Sequence, residues 1–142
     1  MKYSLFDPYN VETLLNELNH YLISDAALER VISKHVLQEL LGDLFHEISR
    51  VMKEDKTFEN IKSDHIIDDF YEALPTIKDQ ISKDIEATYE GDPAAKSKQE
   101  IQQFYPGIQA LKGHRIAHFF EQKGIPMLPR AISEYIHSKT GI

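Results

Sequence analysis

Apolar residues recur at every third or fourth position along most of the chain, which is the spacing of one face of an α-helix. Asp7 followed by Pro8 predicts the start of the first helix, because aspartate caps a first turn and proline needs no N–H donor there. A second start signal, Ser24 before Asp25, predicts another helix over residues 27–32. The apolar stripe of the first helix consists of Val11, Leu14, Leu15, Leu18 and Leu22.

The next apolar stripe is wide enough to need packing partners on more than one side, which predicts a central core helix. Its members are Val36, Leu37, Leu40, Leu41, Leu44, Phe45, Ile48 and Val51. The polar residues 53–60 predict a loop after it, and helical spacing resumes over residues 61–74. Pro75 then predicts either a new helix or a kink, because proline lacks the N–H donor and clashes with the preceding turn.

The segment that follows this proline combines a narrow apolar stripe with clear end signals. Gly91 predicts the end of the helix in the left-handed conformation, which glycine adopts without a Cβ penalty. Asp92 is expected to be extended because Pro93 follows it. The stripe consists of Leu74, Ile77, Ile81, Ile85 and Thr88.

Capping residues, prolines and glycines delimit the remaining helices. Ser97 and Glu100 have capping-box spacing, which predicts a short helix. Pro106 predicts the start of a helix that Gly124 ends, and Pro126 predicts the start of the last one. The sequence therefore predicts one all-α domain over residues 1–142, a bundle of about seven or eight short to medium helices. The apolar members of the last two stripes are Ile108, Leu111, Ile116, Phe119, Phe120, Leu128, Ala131, Ile132, Tyr135 and Ile136.

Composition narrows the class of protein. No apolar run approaches the roughly 20 residues that span a bilayer, and residues 1–8 lack the apolar region of a signal peptide, so we expect a cytoplasmic protein without a membrane partner. The chain has no cysteine, which excludes disulfides, thiolate zinc sites and a cysteine nucleophile. A net charge of −7 without a basic patch argues against a nucleic-acid partner.

The seven histidines raise the question of a metal site. Only His114 and His118 have the i, i+4 spacing that puts two imidazoles on one helix face, and no acidic residue lies between them as in the HExxH zinc motif. His65 with Asp68 and Asp69 has ligand-like spacing, but three polar residues at such positions are typical of a solvated face. We therefore expect no metal site, with the histidines packing by their rings and hydrogen bonding through one nitrogen.

Asp92 differs from the other carboxylates because a glycine precedes it and a proline follows it. Its carboxylate should lie near the start of the next helical turn, at a rigid helix boundary. Two interpretations remain open from spacing alone. Asp92 either caps that turn or points at a cation or hydroxyl of a ligand.

Five motif segments follow one another in the second half of the chain: residues 84–87 (DIEA), 91–97 (GDPAAKS), 105–107 (YPG), 114–118 (HRIAH) and 133–142 (SEYIHSKTGI). In order and spacing, these segments resemble the helical N-terminal region of serine O-acetyltransferases. The resemblance spans residues 84–142, whereas residues 1–83 are compatible in helical character but carry no such motif.

In that family, the stretch resembling residues 140–142 leads into Asp-Ile-His-Pro and a left-handed parallel β-helix. The β-helix carries the catalytic histidine, its aspartate partner and the acetyl-CoA groove, so the resemblance implies that catalytic and cofactor-binding residues lie outside this chain. Within the chain it implies that Asp92 and Pro93 help to bind the substrate L-serine. It also implies that the helices join subunits into homo-oligomers. The chain alone is expected to be inactive.

Several residues of these segments keep open roles. His114, Arg115 and His118 either line the substrate side or form hydrogen bonds between helices, and we favour the second role because buried polar groups generally find such partners. Arg115 is expected to pair with an acidic residue of a neighbouring helix. The aromatic residues are expected to pack in the core, since helical spacing explains them without a ligand. These aromatic residues are Phe104, Tyr105, Phe119 and Phe120.

The leading hypothesis is therefore the helical N-terminal domain of an enzyme that transfers an acetyl group from acetyl-CoA to L-serine, giving O-acetylserine for cysteine biosynthesis. The alternative is an independent helical module that oligomerises or binds a partner helix and has no enzymatic activity. A histidine-rich metal-binding bundle is a third class, which stoichiometric metal in purified protein would reveal.

Overall fold

The computed structural model describes residues 7–22, 32–54 and 63–142, and all regular secondary structure within these ranges is helical. The elements are α1 (Pro8–Leu22), α2 (Lys34–Val51), a 3-10 helix (Met52–Glu54), α3 (Ser63–Gly91), α4 (Lys98–Phe104), α5 (Pro106–Gln122) and α6 (Leu128–Thr140). The all-α prediction is confirmed. The helix predicted over residues 27–32 lies almost entirely outside the described residues, as does most of the loop predicted over residues 53–60.

The helices α1, α4 and α5 begin where the capping and proline signals predicted them. The carboxylate of Asp7 accepts a hydrogen bond of 2.9 Å from the backbone N–H of Tyr9 at the start of α1. The hydroxyl of Ser97 accepts one of 3.1 Å from the N–H of Glu100 in α4. Pro106 occupies the first turn of α5, where its missing N–H costs no helical hydrogen bond. Local side-chain chemistry thus defines where these helices begin.

Pro75 lies inside α3, so the prediction of a new helix at this position is wrong. The proline is exposed, while Leu74 and Ile77 beside it are buried in the core. Burial on both sides of Pro75 offsets the lost hydrogen bond and keeps the helix continuous. Two predicted helices therefore merge. Since the helix predicted over residues 27–32 also lies almost entirely outside the described residues, these contain six α-helices rather than seven or eight. No described helix, α3 included, is both long and apolar enough to cross a membrane.

Helix α3 ends at the predicted residue, but with a different backbone conformation from the predicted one. Gly91 is the last residue of α3, as predicted, but it is not among the described glycines with positive φ, which are Gly124 and Gly141. The helix ends here because Pro93 disfavours the helical conformation at Asp92. Left-handed geometry at Gly91 is therefore unnecessary.

The last helix begins two residues later than predicted. Pro126 lies in a bend, and α6 starts at Leu128 with Pro129 in its first turn. Met127 precedes the helix with a φ of 69°, a strained value for a residue with a side chain. Pro126 and Pro129 both carry a helix-start signal, and the helix begins with Pro129 in its first turn.

The core is one continuous cluster to which all six α-helices contribute. Three aromatic rings connect its central helices: Phe120 of α5 lies 4.8 Å from Phe70 of α3 and 6.4 Å from Phe45 of α2, measured between ring centroids. The prediction that α2 is a core helix is confirmed, because its buried side chains contact this cluster.

Helices α5 and α6 pack closely against each other at Gly113. A Cβ atom built on Gly113 would lie 2.4 Å from Cγ1 and 2.9 Å from Cδ1 of Ile136, well inside van der Waals contact. Because Cγ1 is near the base of the isoleucine side chain, a rotation of its end does not relieve the clash. Glycine at this position therefore allows the close approach of the two helices.

Gly113→Ala is expected to lower the free energy of unfolding by about 1 kcal/mol, because the overpacking cost exceeds the gain in helix propensity. Urea denaturation of the purified chain measures this difference. Gly42→Ala is the matched control, since Gly42 lies inside α2 and a Cβ atom added to it would have no contact within 4 Å outside its own helix backbone. The control should be neutral or stabilising by up to about 1 kcal/mol. Equal stability of the two variants would contradict the packing described for Gly113.

Candidate substrate-binding site

Asp92 lies at the junction that follows α3, where the chain turns towards α4. Its backbone N–H donates a 3.0 Å hydrogen bond to the carbonyl oxygen of Thr88 and so completes the last turn of α3. Its carboxylate oxygen Oδ1 accepts a 2.9 Å hydrogen bond from the N–H of Ala94. Its carbonyl oxygen accepts a bond of 3.1 Å from the N–H of Ala95. Asp92 therefore caps the turn over Pro93 and Ala94, which confirms the capping interpretation.

The second carboxylate oxygen of Asp92 binds a tyrosine from further along the chain. The hydroxyl of Tyr105 donates a 2.7 Å hydrogen bond to Oδ2. This bond is the main cause that lowers the pKa of Asp92 below its usual value, and the bond from Ala94 adds to it. The same bond raises the pKa of Tyr105. Asp92 is therefore an ionised carboxylate near neutral pH, oriented by one donor on each oxygen.

The carboxylate remains accessible. Asp92 is half-buried, and Pro93 and Ala94 beside it are exposed. An ionised carboxylate has about four lone-pair positions, and the two bonds above occupy one on each oxygen. The remaining positions suit a cationic donor, because charge-assisted hydrogen bonds are short and strong. A small amino acid can therefore approach the carboxylate from solvent.

The prediction that Phe104 packs in the core is wrong. Phe104 is the last residue of α4 and is 77% exposed, whereas Ile101 of the same helix is fully buried. Helix α4 has only seven residues, and Tyr105 turns the chain directly into α5, so Phe104 extends past the edge of the core. The other three aromatic residues follow the prediction: Phe120 is buried, and Tyr105 and Phe119 are half-buried against the core.

Arg115 forms the ion pair with a neighbouring helix that the sequence predicted, and its partner is Asp84 of α3. The two side chains meet in a bidentate arrangement, with Nε 2.7 Å from Oδ2 and an Nη nitrogen 2.8 Å from Oδ1. The Asp84 hydrogen bond raises the pKa of Arg115 further above its already high value. The pair joins α5 to the end of α3 about two turns before Asp92. This ion pair thus helps to hold the end of α3, and with it the Asp92 junction, against α5.

The sequence raised two possible metal positions, one at His114 with His118 and one at His65 with Asp68 and Asp69. His114 and His118 are both exposed, with near-parallel rings whose centroids lie 5.9 Å apart. Asp68 pairs with Lys34 and Asp69 pairs with Lys123, each at 2.7 Å, so both carboxylates near His65 face lysine ammonium groups. Within residues 7–22, 32–54 and 63–142, no three histidine, aspartate or glutamate side chains converge on a possible metal position.

Two grooves lie between α5 and α6, away from Asp92. One has a volume of about 370 Å³ and is lined by Leu111, His114 and Ile142 among others. The other has a volume of about 390 Å³ and includes His118, Glu121 and Arg130. Neither groove contains a residue of the Asp92 junction, and we place the candidate site at Asp92 because its geometry and charge suit a ligand.

The sequence did not indicate two features of the structure, the hydrogen bond of Tyr105 to Asp92 and the burial of Lys112. The sequence predicts Tyr105 as a core residue but gives no sign of its bond to Asp92, because a helix of the intervening chain separates the two residues. Lys112 of α5 is only 3% exposed, and burial lowers the pKa of its ammonium group to about 8. Its position four residues after Ile108 and four before Ile116, on the buried face of α5, was the available signal.

Comparison with known proteins agrees with the sequence motifs. Residues 11–113 match the family model described as serine acetyltransferase, N-terminal. This match includes residues 11–83, for which the sequence offered no motif.

Relatives and solved structures extend the comparison. A plasmid-encoded serine acetyltransferase of Synechococcus elongatus is 51% identical over 73 residues, which is 51% of this chain and 23% of the relative. The serine acetyltransferase of Mycobacterium tuberculosis is 44% identical over 59 residues, or 42% of this chain and 26% of that protein. The chain thus spans about a quarter of the length of these curated relatives. The crystal structure of Entamoeba histolytica serine acetyltransferase 1 in complex with L-cysteine aligns over 95% of this chain and 60% of that one, with a TM-score of 0.58 and 23% identity, and so shares the fold.

Proposed function

Because this chain belongs to the serine acetyltransferase N-terminal family, we propose that it is the helical part of an enzyme that transfers an acetyl group from acetyl-CoA to L-serine. The product is O-acetylserine, a precursor for cysteine biosynthesis. In this proposal the chain has two roles. It supplies one side of the serine site through Asp92 and Pro93, and it joins copies of the enzyme into a homo-oligomer.

The observation that carries the serine-binding role is the ionised and accessible carboxylate of Asp92. Acetyl transfer requires that the serine hydroxyl be held in line with the thioester carbonyl, so the enzyme must orient the amino acid. A fixed carboxylate orients the serine ammonium through a charge-assisted hydrogen bond. The hydrogen bonds from Ala94 and Tyr105 support this role, because they hold the carboxylate still before serine arrives.

The remaining chemistry is assigned to the part of the protein outside this chain. Acyl transfer needs a general base for the serine hydroxyl, donors for the thioester oxyanion and a groove for acetyl-CoA. The chain spans about a quarter of the length of its curated relatives, which leaves ample sequence for these parts. We therefore expect no acetyltransferase activity from this chain alone. The cytoplasmic location belongs to the same proposal, since a chain without cysteine needs no oxidising compartment.

The second candidate function is an independent oligomerisation module. It is favoured by apolar side chains on the α5–α6 side of the fold, where Leu111 is 38% exposed and Ile142 is 62% exposed. Exposed apolar groups at the edge of a groove are typical of surfaces that contact another protein. The two functions are compatible within one enzyme. They differ in whether the gene continues beyond Ile142 into hexapeptide repeats.

The test of the proposal is acetyl-CoA consumption in the presence of L-serine, measured for this chain and for the protein encoded by the whole gene. Circular dichroism first verifies that both are folded, and reactions without serine correct for background hydrolysis. We expect activity from the longer protein only. Activity of the 142-residue chain by itself, or a folded longer protein with no serine-dependent activity, would overturn the proposal.

A further inference from the structure

We propose that Tyr105 is a positioning residue for serine recognition, acting through Asp92 and without touching the substrate. This inference rests on the proposed function, because it gives Tyr105 a role only if Asp92 binds serine. It adds a residue from a second helix junction to the site. The physical basis is the 2.7 Å hydrogen bond from the hydroxyl of Tyr105 to Oδ2 of Asp92.

Two donors on different oxygens fix the orientation of the Asp92 carboxylate. The N–H of Ala94 binds Oδ1 at 2.9 Å, and this bond alone leaves the position of Oδ2 adjustable. The second bond, from Tyr105, removes that freedom. The remaining lone pairs of the carboxylate then point in a fixed direction. Serine binding therefore costs less free energy, because the carboxylate is already ordered.

The backbone holds Tyr105 firmly enough for this role. Tyr105 is the only residue between α4 and α5, and it ends one helix and precedes the other. Its N–H donates a 3.2 Å hydrogen bond to the carbonyl of Ile101, and its own carbonyl accepts a 3.1 Å bond from the N–H of Ile108. Pro106 restricts the backbone of Tyr105 to an extended conformation, with a ψ of 114°. Ile101 and Ile108 are both buried, so the junction is anchored in the core on either side.

The rest of the Tyr105 side chain has a separate, structural role. Its ring is half-buried and packs against the core, so phenylalanine at this position preserves the packing and removes only the hydroxyl. Tyr105→Phe therefore separates the hydrogen bond from the fold. Without the bond, Asp92 keeps its charge and its cap on Ala94 but loses its fixed orientation.

In the full-length enzyme, Tyr105→Phe is expected to raise the KM for L-serine about tenfold, with kcat within about twofold of wild type. A loss confined to KM is expected because the bond improves substrate binding and not the chemical step. Tyr135→Phe is the matched control, since Tyr135 is also a half-buried tyrosine whose pKa is raised, by burial and by the nearby charge of Glu12, and it lies far from Asp92 in sequence. The control should leave both constants unchanged.

A carbon-13 NMR titration of the aspartate carboxyl groups in the 142-residue chain provides a second readout that a merely structural role would not move. The pKa of Asp92 should rise towards the ordinary aspartate value in Tyr105→Phe and stay low in Tyr135→Phe. An unchanged pKa of Asp92, or an unchanged KM for serine, would overturn the inference.

Asp92→Asn in the full-length enzyme distinguishes failure of this inference from failure of the proposed function. If Asp92→Asn raises the KM for serine while Tyr105→Phe does not, Asp92 binds serine without help from Tyr105, and only the inference is lost. If Asp92→Asn leaves the KM unchanged, the serine-binding role of Asp92 fails, and the role of Tyr105 fails with it.

Discussion

Replacing Asp92 with alanine in the full-length enzyme is expected to lower kcat/KM for L-serine by about 30- to 1000-fold, which corresponds to about 2–4 kcal/mol of transition-state stabilisation. The reason is the loss of a charged acceptor that is already oriented by Ala94 and Tyr105. Initial rates at serine concentrations below KM measure this ratio directly. The KM for acetyl-CoA should change little, because the proposed partner of Asp92 is the amino acid.

The control for this prediction is Asp79→Ala, which removes an exposed carboxylate from the same helix that precedes Asp92. Asp79 pairs with Lys83 at 3.0 Å on the surface of α3, and such exposed pairs contribute little to stability. This variant should retain wild-type kinetics. Near-normal activity of Asp92→Ala at low serine would refute a substrate role for Asp92.

Replacing Lys112 with methionine is expected to raise the free energy of unfolding by up to about 3 kcal/mol at neutral pH. Lys112 is 3% exposed, and burial lowers its pKa from 10.5 to about 8 in the folded state. Below pH 8 the folded protein therefore carries a buried positive charge, which opposes folding. Methionine has a similar length and no charge, so it removes this cost.

The effect of Lys112 should depend on pH in a defined direction. Between the folded pKa of about 8 and the unfolded value of 10.5, the unfolded chain binds more protons than the folded one. The contribution of Lys112 to the free energy of unfolding therefore becomes more favourable as pH rises through this interval. The advantage of Lys112→Met should shrink accordingly between about pH 7 and pH 10, as measured by urea denaturation.

Lys83→Met serves as the reference for this comparison. Lys83 is on the surface of α3, so its replacement should change stability by less than about 0.5 kcal/mol. If Lys112→Met is no more stable than wild type at neutral pH, or if its advantage is the same in alkaline solution, the described burial of the ammonium group is wrong.

Much of the fold was predictable because its signals are local. Asp7, Ser97 and Pro106 each start a helix through chemistry contained within one turn. The apolar stripes predicted which faces are buried, as at Ile77, Ile81 and Ile85 of α3. These features depend only on neighbours in sequence, so a sequence contains them in full.

The failures arose where tertiary packing outweighs a local rule. Pro75 breaks an isolated helix, yet the buried residues on both sides of it keep α3 intact. Phe104 has helical spacing with Ile101, but the chain turns before the core reaches it. At the start of α6, Pro126 and Pro129 carry the same local signal, and only the packed chain distinguishes them.

Part of the candidate site was also predictable, because some of its features depend on local sequence signals. The rigid position of Asp92 follows from the proline after it. The ion pair of Arg115 was expected because a charged side chain on a packed helix generally has a partner. The identities of the partners, Asp84 for Arg115 and Tyr105 for Asp92, depend on how helices meet in space. A single sequence does not contain that information in any local pattern.

The most direct test of the serine-binding role compares two ligands that differ only where Asp92 is proposed to act. L-glycerate has a hydroxyl in place of the ammonium group of L-serine. The affinities of both ligands are measured by calorimetry for the full-length wild-type enzyme and for Asp92→Asn, which keeps the size of the side chain and removes its charge. We predict that the substitution weakens L-serine binding about tenfold or more and leaves L-glycerate binding unchanged. Equal losses for the two ligands, or no loss for serine, would contradict an interaction between Asp92 and the serine ammonium group.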